Sequence, residues 1–220
     1  DENGSIVAPD RFIPVLEDTY LISKIDYYVF EEVCKALSAW NQQGKSGITV
    51  SSNFSRITFM EDQFVKRIEA ISEKYHVQRK YLEIEITESA KVTDLDTLVA
   101  RIDQMRNSGF SVAMDDFGVE SSNLAMLSFV KIDVLKIDKS FVKDIVTNKR
   151  AQIIIGTMTK MCEEMGIQLI AEGIEDEQQL DVVREYGVKT VQGYLFSRPI
   201  PISEYEEKYI KSPQAEIGGN

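Results

Sequence analysis

The chain has 220 residues, 43% hydrophobic and 28% charged. Those proportions suit a soluble globular protein of one domain with a sizeable core, or of two small ones. A formal net charge of −11 excludes a non-specific DNA or RNA binder, because neutralising phosphates needs a basic surface. An anionic small substrate is compatible only with a bound cation or with local basic groups.

Helical patterning opens the chain, over 9–17 and 23–40. ITVSSN (48–53) then reads as a strand. A helix is predicted over 60–75, with Phe64, Ile68 and Ile71 on one face. YLEIEIT (81–87) is the second strand. Residues 94–107 place Leu95, Leu98, Ile102 and Met105 at helical spacing, with Ser108-Gly109 as the stop. FSVAMD (110–115) and DVLKID (133–138) are strands three and four. A helix over 152–165, closed by Gly166, leads to IQLIAE (167–172). Another over 175–185, closed by Gly187, leads to KTVQGY (189–194). No Pro/Ser/Gly-rich linker divides residues 1–211, and the tail 212–220 is expected to be mobile. Strands alternating with helices imply a parallel sheet. An open doubly wound sheet usually carries a Gly-rich phosphate loop after its first strand. None is present, which favours an α/β fold of the TIM-type (β/α)8 barrel class.

Several chemistries drop out early. Cys34 and Cys162 lie far apart in helical contexts, with neither metal-ligand nor disulfide spacing; they read as buried thiols of a reducing cytoplasm. The single histidine, His76, sits in a polar helix end and reads as a surface residue, which leaves no His-metal cluster. No apolar run approaches a membrane span, and no signal peptide begins the chain. The expected location is cytoplasmic, or the cytoplasmic side of a membrane-anchored multidomain protein.

A barrel places its active residues at the C-terminal ends of several strands. Here each predicted strand closes on a residue with chemistry to offer: Asn53, Glu85 followed by Glu88, Asp115-Asp116, Lys136 and Asp138, Glu172 followed by Glu175, and Gln192. They recur at the length of a βα unit, on the order of 30 residues. Adjacent Asp residues before a Gly can simply be a solvated turn. The repetition at six strand ends favours a common centre instead. Four or five carboxylates with one amide form a hard-oxygen donor set, suited to Mg²⁺ or Mn²⁺ and not to Zn²⁺. Adjacent aspartates suit a bridged pair of ions. Lys136 orients water or phosphate there, or forms a structural ion pair with Glu172.

The segments APDRFIPVLEDTYLISKID, SSNFS, EIEITES, DDFG, VLKIDKSFV, AEGIED and QGYLFSRPIP resemble the EAL domain family, in the family's order and over nearly the whole chain. The resemblance implies a phosphodiesterase that opens cyclic di-GMP to a linear dinucleotide. It implies one metal on Asn53, Glu85 and Asp115 and a second on Asp115, Asp116 and Glu172. Lys136 then helps activate the attacking water, with Glu172 or Glu175 assisting. Gln192, together with Asp138, positions water or substrate, and Glu88 anchors the loop after Asp116. Implied partners are cyclic di-GMP, a second copy in a homodimer, and an upstream sensor or GGDEF domain. Three departures accompany the likeness. The Glu-Ala-Leu motif that names the family is absent, so the resemblance predicts an EAL barrel that is N-terminally incomplete. Six strands are visible where a closed barrel has eight. Glu120 stands at a usual Gly in the loop 119–123. These departures predict little activity from the 220 residues alone, and leave a catalytically silent cyclic di-GMP receptor or a regulatory interaction domain as the alternative. Another divalent-metal barrel enzyme is permitted by fold alone.

Overall fold

The computed structural model describes residues 7, 9–87, 95–119 and 124–211. Its strands are β1 (Val50–Asn53), β2 (Leu82–Thr87), β3 (Ser111–Phe117), β4 (Val134–Ile137), β5 (Gln168–Ala171) and β6 (Thr190–Val191). They form one parallel sheet in chain order, part of a TIM-type barrel. Among the described residues β1 and β6 are the two ends of this sheet and share no ladder.

Side chains alternate across each strand. Leu82, Ile84 and Ile86 of β2, Val112 and Met114 of β3, Leu135 and Ile137 of β4, and Leu169 and Ala171 of β5 are buried. They belong to one continuous core with the apolar faces of the surrounding helices. Those helices are α1 (Pro9–Asp18), α2 (Ile22–Gln42), α3 (Arg56–Phe59), α4 (Phe64–Lys74), α5 (Leu95–Asn107), α6 (Lys149–Met165), α7 (Glu177–Glu185) and α8 (Ile202–Tyr205). The opposite face of the sheet carries the polar set Ser51, Asn53, Glu83, Glu85, Ser111, Asp115 and Lys136. Among the described residues no helix is long and apolar enough to cross a membrane.

All six strands expected from sequence are present, with shifted ends. The helix expected over 60–75 is α4 alone and begins only at Phe64, while the short α3 before it was not expected. Ser55 caps α3 by accepting from the Thr58 N–H, and the chain turns at Met60–Gln63 before α4 begins. α6 starts at Lys149, because the Asn148 side chain accepts from the N–H groups of Arg150 and Ala151. α7 starts at Glu177, behind a capping box of Asp176 and Gln179. Cys34 and Cys162 are both buried. Burial pushes their thiols up to about 12 and about 11, as inert core cysteines require. His76 is exposed at the end of α4, with φ +54°.

Candidate metal centre

Two neighbouring strand residues normally point to opposite faces of a sheet. Asp115 and Asp116 escape that rule through an irregularity of β3. Met114 pairs with Leu135 and Phe117 with Ile137, so three steps on β3 span two on β4. One extra residue is accommodated, as in a β-bulge. On the other side of β3 the register holds through Thr87 opposite Asp115. The adjustment falls on Asp116, whose φ is +54°. Asp is among the few residues that tolerate this left-handed region. The Asp116 N–H also donates to Asp115 Oδ1 at 2.9 Å. Gly118 completes the turn with φ +102°, and a Cβ there would lie 2.1 Å from the Phe141 ring. Only glycine fits both demands.

The consequence is a convergence of carboxylates. Asp115, Asp116 and Glu172 offer ligand oxygens that all lie within 4.8 Å of one another. Lys136, 4% exposed, reaches into the same place from β4. Its Nζ lies 2.9 Å from Glu85 Oε1, 3.2 Å from Asp115 Oδ1 and 2.8 Å from Glu172 Oε1. Burial alone lowers the Lys136 pKa. The Glu85 charge, the bond to Glu172 and the Asp115 charge outweigh it and hold the ammonium above its ordinary value. Glu172 is raised by burial, against the pull of Lys136, with Asp115 and Glu85 adding to the rise. Asp116 is raised by partial desolvation and by the charges of Asp115 and Asp138. Three acids, Glu85, Asp115 and Glu172, thus hold one ammonium, with Asp116 beside Asp115 and Glu172. The ion pair of Lys136 with Glu172 is real, and it is one leg of three.

Other expected site residues lie further out. Asn53 ends β1 and is the ladder partner of Glu85; its side chain is exposed. Gln192 is exposed and prolongs the ladder after β6, donating to Ala171 O and accepting from the Ile174 N–H. Asp138 spends one oxygen capping the short 3₁₀ turn at Lys139–Phe141, accepting from the Ser140 N–H at 2.8 Å. That bond helps hold its carboxyl below the ordinary value despite burial. Glu175 is exposed and stands outside the three-carboxylate cluster; its N–H donates to Gln179 Oε1. Glu88 and loop positions 120–123 lie outside the described residues. Sequence reasoning passed over Glu83, one layer below Glu85 on the same face. It accepts from Ser111 Oγ at 3.1 Å, and burial raises its pKa. The alternation of EIEI in β2 was the signal that could have found it.

The family model of the EAL domain matches residues 1–199. The signaling protein YkoW of Bacillus subtilis is 34% identical over 211 residues, 96% of this chain and 26% of YkoW. The cyclic di-GMP phosphodiesterase NbdA of Pseudomonas aeruginosa is 33% identical over 202 residues, 92% of this chain and 26% of NbdA. The chain thus spans about a quarter of the length of these relatives. Among solved structures, the PaMucR phosphodiesterase in its c-di-GMP complex superposes with a TM-score of 0.85 at 26% identity. That match covers 91% of this chain and 81% of the other. By its sequence match and its fold, the chain belongs to the EAL domain family.

Proposed function

We propose that this domain binds cyclic di-GMP over the C-terminal ends of its strands and hydrolyses it to linear pGpG with two divalent cations, Mg²⁺ or Mn²⁺. The observation that carries the reading is the convergence of the Asp115, Asp116 and Glu172 carboxylates beside a buried ammonium. Sequence likeness to NbdA, a cyclic di-GMP phosphodiesterase by name, supplies the substrate.

The residues fit such ions. The donors are hard oxygens. The acids exceed the one lysine among them, and the left-handed Asp116 backbone is strain of the kind that collects at functional sites. Asn53, Glu85 and Asp115 would hold one ion, and Asp115, Asp116 and Glu172 the other. Bound ions neutralise a phosphodiester and lower the pKa of water. Lys136, its ammonium favoured by the surrounding acids, fixes Glu85, Asp115 and Glu172 in orientation and presents positive charge to the phosphate and the attacking water. Glu172, whose pKa burial raises, would assist as acceptor of a proton from that water. Glu175 assists from the exposed rim. Gln192 and Asp138 position water or substrate. No histidine is required.

Incubation with cyclic di-GMP and excess Mn²⁺, followed by chromatography, is expected to release linear pGpG. Asp116→Asn should abolish the release. Nucleotide bound but left intact would identify a catalytically silent receptor. Nucleotide neither bound nor cleaved would contradict both readings.

A further inference from the structure

We infer that Asp26, on α2, is a positioning residue that sets the Asn53 end of the metal site. The inference rests on the reading of Asn53 as a metal ligand.

Asn53 closes an edge strand of four residues whose single ladder among the described residues is with β2. An edge strand is held from one side only, so something else must fix its end. The next residue, Phe54, donates its N–H to Glu85 O at 3.0 Å. Its ring packs among Tyr27, Phe30 and Phe64, at centroid distances of 5.0–6.2 Å. Such packing fixes depth, but it is non-directional.

Direction comes one residue later. Asp26 is 8% exposed. Its Oδ2 accepts from the Ser55 N–H at 3.0 Å, from Ser55 Oγ at 2.8 Å and from Thr58 Oγ1 at 2.5 Å. Ser23 Oγ lies 3.1 Å from Thr58 Oγ1 and closes the cluster. A carboxylate taken out of water is costly unless it is hydrogen-bonded, and charge-assisted bonds of this kind are the strong ones. Capping α3 does not explain the charge, since Ser55 already accepts from the Thr58 N–H and α3 has only four residues. What the carboxylate adds is a directional tie between α2 and the backbone two residues beyond Asn53. It fixes the angle at which the β1 end leaves the sheet, and with it the place of the Asn53 amide relative to Glu85.

The test is titration of the full chain with Mn²⁺ alone, reading free Mn²⁺ by electron paramagnetic resonance. Asn53→Ala is expected to weaken Mn²⁺ binding. Asp26→Ala should weaken it about tenfold, the lower end of what losing a supporting hydrogen bond costs a metal site. Asp26→Asn, whose amide oxygen still accepts from Ser55, should recover most of the loss. The double variant Asp26→Ala/Asn53→Ala should bind no worse than Asn53→Ala, because the two changes act on one ligand. Ile155→Val lowers core stability on α6, away from β1, and should leave Mn²⁺ affinity unchanged. Should Asp26→Ala not fold, Ser55→Ala removes one leg of the same tie and is expected to weaken binding in the same direction. If Asn53→Ala weakens Mn²⁺ binding while the Asp26 and Ser55 variants bind as wild type does, Asp26 is purely structural and the inference fails. If Asn53→Ala itself binds Mn²⁺ normally, the ligand reading fails first and takes the inference with it.

Discussion

Lys136 is the residue on which the charge balance of the centre turns. Its ammonium is buried against Glu85, Asp115 and Glu172. Removing one partner of a buried ion pair leaves uncompensated charge and costs about 3–5 kcal/mol. Lys136→Met should therefore lower the urea midpoint sharply in the presence of a chelator. Millimolar Mn²⁺ should recover much of the loss, since a cation replaces the missing charge. Asp116 acts in the opposite sense. Its pKa lies above the ordinary 3.8. The stability it contributes is therefore fully present below that value and is lost as pH rises through the folded-state pKa. Asp116→Asn removes the charge and keeps a side chain that tolerates positive φ. In metal-free solution the variant should gain stability over wild type at pH 7 and gain less at pH 4. Equal gains at both pH values would show that the Asp116 charge is not strained.

At the scale of elements, the site is built where regular structure is interrupted. β3 is a regular strand up to Met114, and its extra residue is what turns two adjacent aspartates toward one centre. Period-2 patterning reads the strand well and cannot show a bulge, because the pattern assumes strict alternation. That is why the sequence located Asp115 and Asp116 without explaining how both face inward. The order of the six strands was legible, because each apolar run is bounded by polar residues or glycine. The short helix α3 was not, since the Ser55 cap depends on the distant Asp26 as well as on Thr58. Asp26 itself was hidden for the same reason: on α2 it reads as one more polar position. β6 ends after two residues, short of the expected 189–194. The chain there presses onto the β5–α7 connection, and a Cβ on Gly193 would sit 2.1 Å from Ile174 O. That neighbour is backbone and cannot swing aside. Gly193→Ala should lower the melting temperature by several degrees and disturb Gln192. A melt unchanged within 1–2 °C, less than the shift of roughly 2–4 °C per kcal/mol for a chain of this size, would contradict that contact.

At the scale of the whole molecule, the sheet presents unpaired edges at β1 and β6 among the described residues. Such edges are templates for pairing with another chain. The exposed Ile153 and Ile154 of α6 add apolar surface. The 220-residue polypeptide is expected to associate as its concentration rises, visible by sedimentation velocity. A single monomeric species throughout would show that the edges are covered. The proposed chemistry requires that Asp115, Asp116 and Glu172 form a cation site. The most direct measurement is Mn²⁺ binding by calorimetry to the wild-type chain and to Asp116→Asn, with folding verified by circular dichroism. Saturable binding to wild type that is lost in the folded variant is the predicted result. Equal binding to both, or none to either, would contradict the claim.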